Sequence, residues 1–365
     1  MSKSLAIITW VTYRNFGTFL QAFALQQYLC EKGFDCKILN DSSYITNYKP
    51  NWKHKLKKLF LKLVQKDFRE FEKSCTKSHS LFNNFKQKML HIDYNHHLSS
   101  LDSKYDIYIC GSDQIWNPFF LDNPNSDFFY ASFTQKKKIA YAPSIGVSKV
   151  PHQYKEKFKK QTICFDYLSA REQQGVDALQ ELTGKNVSKV VDPTLLLDAD
   201  EWNQLLPIEP PCQQKYILAY FLTPNKAFID LAIEYAKRKN IRVKIFFTDK
   251  SYYGYDCDLI AAGPIEFLHY VKHAECLFTD SFHGSIFANI FHTQFFTFRR
   301  FKQIAESQNS RVENLLTMMG IGERLFDEKN CNTIYKLADI DFKQISRNIT
   351  PFIEKSKHYL LNTLQ

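Results

Sequence analysis

The stretch Thr279-Asp-Ser-Phe-His-Gly-Ser285 decides the fold, because it joins a strand directly to a helix. The apolar run at 276–278 is typical of a buried strand, and the apolar residues of 286–291 recur at helical spacing. Asp280 or Ser281 can cap this helix, whose first N–H groups and dipole together form a natural anion site. The stretch therefore predicts an α/β protein with a ligand site where this strand ends.

His283 lies in this turn, beside the expected anion. A bound phosphate or carboxylate favours the charged imidazole, so His283 is a candidate general acid near neutral pH. Gly284 would let a ligand approach the first helical turn closely. The same residues also fit an ordinary helix cap followed by a histidine that hydrogen-bonds to a backbone carbonyl.

Composition sets the broad class. The chain has 365 residues, long for one domain and sufficient for two. It has no run of eighteen apolar residues and no signal-peptide pattern, and its nine cysteines form no Cys-x-x-Cys pair. We expect a cytoplasmic protein without a metal site. The net charge of +10 suits an anionic partner, while the usual nucleic-acid motifs are absent from the sequence.

Two further polar clusters follow predicted strands. The first contains Asn15 and Gly17, with Gln21 one helical turn later; the second is the run Asp113, Gln114, Trp116 and Asn117. Carboxylate and amide side chains can hydrogen-bond sugar hydroxyls, and a tryptophan ring offers a flat face for a pyranose. Shaped turns with a packed tryptophan would give the same pattern.

Arginines occur where an anion would explain them. Arg171 lies at the predicted start of a helix, where a cation is unfavourable unless an anion joins it. Arg299 and Arg300 stand at the end of another predicted strand. A surface ion pair, such as one between Arg171 and Glu172, is the alternative.

Strand and helix alternate in both halves of the chain. We expect a Rossmann-like domain over residues 1–205, a second over 206–345, and a helix at 346–365 that packs back across the junction. Since each polar cluster follows a strand, the two domains should face each other across a central cleft that holds the ligands.

Residues 49–100 form a basic insertion in the first domain. Leu56, Leu59, Phe60, Leu63 and Val64 recur at helical spacing among lysines, which predicts a basic amphipathic helix over about 53–73. Such a helix can lie on an anionic membrane or pack its stripe on the domain and expose a basic face.

Taken together, these clusters resemble the polysaccharide pyruvyltransferase family. The matching pieces, in family order, are 15–17 with Gln21, 111–118, 169–172 with Gly175, 192–195, 279–285 and 311–320. The resemblance implies two domains in a GT-B-like arrangement, and transfer of a pyruvyl group from phosphoenolpyruvate to a sugar as a cyclic ketal. It also implies that no cofactor is needed.

The resemblance, added to the residue patterns, predicts the site. Catalysis is assigned to His283 and Asp113; donor binding to Arg171, Ser281, His283, Gly284, Ser285 and Arg299; and acceptor binding to Asn15, Gly17, Gln21, Gln114, Trp116 and Asn117. Some members carry Arg-Leu before the histidine, where this chain has Ser281 and Phe282. Neutralising the donor therefore depends more on Arg171, Arg299 or a lysine.

Such enzymes often modify lipid-linked repeat units of bacterial capsules or exopolysaccharides. We accordingly expect a saccharide acceptor, docking of residues 53–73 on the inner face of the cell membrane, and no nucleic acid. One rival is a GT-B nucleotide-sugar glycosyltransferase, although the sequence has no convincing glycine-rich dinucleotide fingerprint. Another is a non-catalytic subunit of a glycan assembly complex.

Overall fold

The structure, a computed structural model, describes residues 3–44, 65–94, 98–300 and 309–365. Within these ranges the chain forms two α/β domains, each built on a parallel sheet. The predicted stripe at 56–64 lies outside the described residues.

The N-terminal sheet is parallel throughout, in the order β3-β2-β1-β4-β5. Its strands are β1 (Ser4–Ile8), β2 (Asp35–Leu39), β3 (Ile92–Asp93), β4 (Ile107–Cys110) and β5 (Lys137–Ala140). A parallel pair, β6 (Leu168–Ala170) and β7 (Val187–Lys189), continues the sheet through a bridge between Ile139 and Tyr167. The accompanying helices are α1 (Phe16–Glu31), α2 (Lys66–Met89), α3 (Lys155–Thr162), α4 (Gln173–Thr183) and α5 (Ala199–Asn203).

The C-terminal sheet is also parallel, in the order β10-β9-β8-β11-β12-β13. Its strands are β8 (Tyr216–Tyr220), β9 (Arg242–Phe246), β10 (Asp258–Ile260), β11 (Cys276–Thr279), β12 (Gln294–Phe298) and β13 (Leu325–Phe326). Its helices are α6 (Lys226–Arg238), α7 (Pro264–His273), α8 (Phe282–Ile290) and α9 (Asn309–Met319), followed by the last helix, α10 (Phe342–Leu364).

Each sheet reverses its strand order at one point, between β1 and β4 in the first domain and between β8 and β11 in the second. Loops at the carboxyl ends of such neighbouring strands diverge and leave a crevice for a ligand. The loops that carry Asn15, Asp113 and His283 follow β1, β4 and β11, so the strand order places all three at these crevices.

Aromatic packing joins the two domains. Phe16, at the start of α1, stacks on Phe82 of α2 at 5.4 Å between ring centroids and on Phe267 of α7 at 4.7 Å. Phe71 of α2 meets Phe247 edge-on at 5.1 Å, and the Ser78 hydroxyl donates to the Ala262 carbonyl at 2.6 Å. The described part of the basic insertion therefore contacts the C-terminal domain through Phe71 and Ser78, while Phe82 packs on Phe16.

The last helix returns to the N-terminal domain. The Val191 N–H donates to the Ser356 hydroxyl at 2.9 Å, and the Tyr359 hydroxyl donates to the Ala140 carbonyl at 3.1 Å. Lys3 Nζ also donates to the Leu364 carbonyl at 2.6 Å. Among the described helices, none combines the length and the apolar character that crossing a bilayer requires.

Candidate functional site

A small cavity of about 130 Å³ lies where the two crevices meet. Both domains contribute polar side chains to it; those used below are Asn15, Thr18, Asp113 and Gln114 from the first domain, and Asp280, Ser281, His283, Arg300 and Arg311 from the second. The structure thus brings together the clusters around Asn15, Asp113 and His283 that the sequence assigned to one cleft.

The start of α8 forms one wall of this cavity. Ser281 is the N-cap, and its hydroxyl accepts from the Gly284 N–H at 3.1 Å. A Cβ on Gly284 would lie 2.7 Å from the Thr279 hydroxyl, so this position has no room for a side chain. The first turn, which carries His283, therefore presents the positive end of the helix dipole to the cavity.

His283 is paired with a carboxylate from the other side of the domain boundary. Its Nε2 lies 3.4 Å from Oδ2 of Asp192, which follows β7 and is fully buried. Burial alone would raise the pKa of Asp192, but His283 and Arg171 outweigh it and hold the pKa well below its usual value. An ionised carboxylate therefore lies beside the His283 ring, which lines the cavity.

Arg171 supports this pair from behind. Its Nη1 lies 2.6 Å from Oδ2 of Asp192, its Nε lies 2.9 Å from Glu172, and its guanidinium covers the Phe282 ring at 4.6 Å. Burial opposes the charge, but Glu172, Asp192 and Asp113 raise the pKa of Arg171. Arg171 does not line the cavity, because these carboxylates hold it in a layer behind the wall. Direct donor binding by Arg171 stays a prediction; in the structure its guanidinium pairs with Asp192 and Glu172.

Asp113 is held with an unusual backbone. Its φ of 66° is uncommon outside glycine, and such strain is found where a structure holds a side chain in a required position. Its Oδ2 accepts from the Thr18 hydroxyl at 2.5 Å, and its Oδ1 accepts from the Gln114 N–H at 2.9 Å. The carboxylate is thereby fixed at the cavity wall opposite α8.

Two predicted residues are parts of the scaffold that supports this wall. Gln21 is fully buried; its amide donates to the Thr9 hydroxyl at 2.9 Å and accepts from the Ser112 N–H at 3.1 Å. Gly17 packs against the His283 ring. The Gln21 side chain therefore holds the loop before Asp113, and acceptor binding by it stays a prediction.

Arg311, in the first turn of α9, is a cavity residue that sequence reasoning did not assign. With its oxygen turned toward Arg311, the Gln114 amide accepts from both terminal nitrogens of the guanidinium at 3.1 Å. Burial and the neighbouring Arg171 lower the pKa of Arg311 to about 10, still well above neutrality. A cation at a helix N-terminus was the signal used for Arg171, and it identifies Arg311 equally well.

Arg300, rather than Arg299, reaches the cavity from the end of β12. The Arg300 Nε donates to the Thr223 hydroxyl at 2.8 Å. Arg299 pairs with Glu313 and lines a separate, more open cavity beside α6. The structure thus places Arg300 in this cavity and Arg299 outside it, because consecutive residues at a strand end point in different directions.

Two more predicted ligand residues are buried elsewhere. The Ser285 hydroxyl shares a hydrogen bond of 2.9 Å with the Thr297 hydroxyl of β12, and the Ser285 side chain is buried. The Trp116 ring is fully buried, stacks on Tyr130 at 5.4 Å and donates from Nε1 to the Phe129 carbonyl at 3.0 Å. Both side chains are buried and neither lines the cavity, so the structure gives no support to sugar stacking by Trp116 or to phosphate binding by the Ser285 hydroxyl.

Asp280 closes the site beside α8. It accepts from the Leu222 N–H at 2.6 Å and the Thr223 N–H at 3.1 Å, and burial raises its pKa to about 6. The loop after β8 is thereby tied to the loop after β11. An equivalent carboxylate, Asp41, accepts from the N–H groups of Val11 and Thr12 after β1.

Comparison with known proteins relates the chain to one family. The family model described as polysaccharide pyruvyl transferase matches residues 15–300. Comparison with curated protein sequences gives no significant match.

Solved structures of sugar-nucleotide enzymes share the fold at low identity. One is a UDP-N-acetylglucosamine 2-epimerase with a TM-score of 0.53 and 14% identity, matched over 98% of this chain and 94% of that chain. Another is the S. aureus MnaA–UDP complex, with a TM-score of 0.51 and 11% identity over 98% of this chain and 90% of that chain. These similarities establish two Rossmann-like domains in a GT-B-like arrangement.

Proposed function

The chain belongs to the polysaccharide pyruvyl transferase family, and from this premise we propose that it transfers a pyruvyl group from phosphoenolpyruvate to a sugar of a bacterial surface polysaccharide. The observation that carries the proposal is the His283–Asp192 pair at the start of α8, beside Arg300 and Arg311. An acid next to an anion site is what a phosphorylated enol donor requires.

Donor binding follows from the charges around the cavity. Phosphoenolpyruvate carries a phosphate and a carboxylate, which suit a helix N-terminus and guanidinium groups. Arg311 and Arg300 supply two cations on the wall shared with the first turn of α8. Arg171 adds no free charge, because Glu172 and Asp192 already pair with it.

The reaction delivers one proton to the methylene carbon of the donor and removes one proton from each of the two sugar hydroxyls. His283, which lies beside Asp192, donates a proton to the methylene carbon, and the central carbon gains oxocarbenium character. One sugar hydroxyl attacks that carbon and a second replaces phosphate, so the products are a ketal and inorganic phosphate. Asp113 orients or deprotonates the first hydroxyl, and the departing phosphate takes the remaining proton.

A thermal-shift measurement with phosphoenolpyruvate, UDP, GDP and CMP tests the donor. A ligand at one hundred times its dissociation constant stabilises the fold by about 2.7 kcal/mol. We expect phosphoenolpyruvate alone to raise the melting temperature and His283→Ala to reduce the effect. His152→Ala, an exposed histidine outside the site, is the matched control. Stabilisation by a nucleotide instead would favour the glycosyltransferase.

A lipid-linked acceptor and membrane docking complete the proposal. The support is the basic composition of residues 53–73. Later in α2, Phe82 and Phe85 are buried inside the protein. Replacement of the lysines in residues 53–62 by glutamine should reduce co-sedimentation with phosphatidylglycerol vesicles. The same change at Lys155, Lys159 and Lys160 should not. Equal binding by the wild type and both variants would refute the docking.

A further inference from the structure

A second, larger cavity of about 390 Å³ adjoins the first on the side of the N-terminal domain. The two cavities share Trp10, Tyr13, Gln114 and Arg300 in their walls. This volume lies in the usual range for small-molecule sites, about 300 to 1,000 Å³. A molecule held in the larger cavity would therefore extend directly toward Asp113 and His283.

Aromatic rings form most of one wall of this cavity. Phe120 meets the Trp10 indole edge-on at 5.2 Å between centroids, and Phe129 does so at 6.4 Å. Phe120 remains 45% exposed and Tyr13 60% exposed, an unusual amount for rings grouped in one place. The fold thus leaves flat apolar faces open inside a concave site, where they suit the C–H face of a sugar ring.

A buried hydroxyl in the same wall lacks a partner. Ser126 is 3% exposed, and among the described residues nothing hydrogen-bonds to its Oγ. A buried hydroxyl without a partner is destabilising and needs an explanation, of which a ligand is one. The Oγ is covered in the free protein, so a ligand would reach it once the Ser126 side chain turned toward the cavity. A sugar hydroxyl can both donate to and accept from the Ser126 hydroxyl. It can form the same two kinds of hydrogen bond with the neighbouring amide of Asn117.

The charge of the cavity argues against a nucleotide. Arg300 is the charged side chain among the described residues that line it, and no carboxylate is found there. A diphosphate would call for more positive charge or a helix N-terminus, both of which lie in the smaller cavity instead. A ring with several hydroxyls and little charge fits the larger cavity better.

We propose that this aromatic cavity holds the terminal pyranose of the acceptor, with its ring against Phe120 and Trp10 and a hydroxyl on Ser126. The shared wall then presents the sugar's free hydroxyls to the donor cavity. The role of this sugar as the acceptor rests on the proposed function, whereas sugar binding in the larger cavity does not. Phe120, Trp10 and Ser126 are accordingly specificity-determining residues that the sequence patterns did not indicate.

Saturation-transfer NMR on the full chain tests the proposal with four probes: the methyl pyranosides of galactose, glucose, mannose and N-acetylglucosamine. We expect transfer to at least one probe in the wild type, and at least a fivefold loss in Phe120→Ala. Phe119→Ala is the matched control, because Phe119 is the neighbouring residue, is 48% exposed and does not line the cavity. No transfer in the wild type, or equal signals in the two variants, would overturn the proposal.

Ser126→Ala adds a second, independent reading. The hydroxyl has no partner among the described residues, so its removal should leave the melting temperature unchanged or raise it, and should weaken glycoside binding roughly five- to tenfold. Unchanged glycoside affinity would count against the assignment of the hydroxyl. Melting curves with phosphoenolpyruvate separate the two proposals. If phosphoenolpyruvate did not raise the melting temperature but sugar binding still depended on Phe120, the proposed function alone would be refuted.

Discussion

Gly17 and His283 touch across the domain boundary so closely that a Cβ on the glycine would lie 1.9 Å from the imidazole Nδ1. The backbone of α1 therefore fixes the ring of the proposed acid from one side, while Asp192 fixes it from the other. Position 17 is thus restricted to glycine by the His283 side chain of the opposite domain.

Gly17→Ala should consequently displace His283 and damage the site. Overpacking of this kind costs about 1–3 kcal/mol of stability, and we expect the phosphoenolpyruvate-induced rise in melting temperature to be lost as well. Gly322→Ala is the control, since a Cβ there meets nothing within 4 Å. Unaltered donor stabilisation in Gly17→Ala would show that the ring need not hold this position.

Asp192→Asn should destabilise the protein because it removes a buried charge that balances Arg171. Loss of one partner from such a pair costs about 3 kcal/mol or more, which urea unfolding at neutral pH measures. Asp258→Asn is the matched control. Its surface pair with Arg242 and Lys244 should contribute at most about 1 kcal/mol. Equal losses in the two variants would contradict the buried network.

Arg311→Gln should weaken donor binding much more than Arg299→Gln. Arg311 lines the central cavity, whereas Arg299 is paired with Glu313 outside it. We expect roughly a tenfold or larger loss of phosphoenolpyruvate affinity for Arg311→Gln, consistent with a charge-assisted hydrogen bond of about 1.5–3 kcal/mol. Titration calorimetry measures both variants. A greater loss from Arg299→Gln would restore the sequence-based assignment.

Asp280 should make stability fall as pH rises through mildly acidic values. Its folded-state pKa is raised from 3.8 to about 6, so the stability gained by binding the proton is complete below about pH 4 and is lost above about pH 6. Relative to Asp280→Asn, the wild type should lose on the order of 3 kcal/mol between about pH 4 and pH 7. Urea unfolding across this range measures the difference.

Asp258→Asn is the control for that experiment, because Asp258 should change stability with pH in the opposite direction. The pKa of Asp258 is lowered, despite its partial burial, by Lys244 and Arg242, so its contribution is present at neutral pH and is lost on acidification. If Asp280→Asn showed the same slope as Asp258→Asn, the raised pKa of Asp280 would be wrong.

The sequence predicted the α/β class and the residues that stand at strand ends. Asn15, Asp113 and His283 meet at one cavity because parallel strands direct the loops at their carboxyl ends to the same edge of a sheet. This step required only the order of strands and helices. It did not require side-chain directions.

The directions of side chains were harder to predict. Trp116 turns inward because its ring stacks on Tyr130 and its Nε1 donates to the Phe129 carbonyl. Both partners lie outside the motif that contains Trp116, so the motif alone does not predict them. Arg171 is drawn behind the cavity by Asp192, which lies after a different strand. Partners distant in sequence decide whether a polar side chain meets solvent, ligand or core, and local spacing does not encode them.

The stack of Phe82, Phe16 and Phe267 has a consequence for how this enzyme architecture changes over evolution. A ring from the first domain fills the interior of the second, so a cut at the connecting segment would expose apolar surface on both pieces. Domains joined in this way are poor candidates for exchange between proteins. Diversification of the family member is instead expected in surface loops and in the cavity walls, with the two halves inherited as one unit.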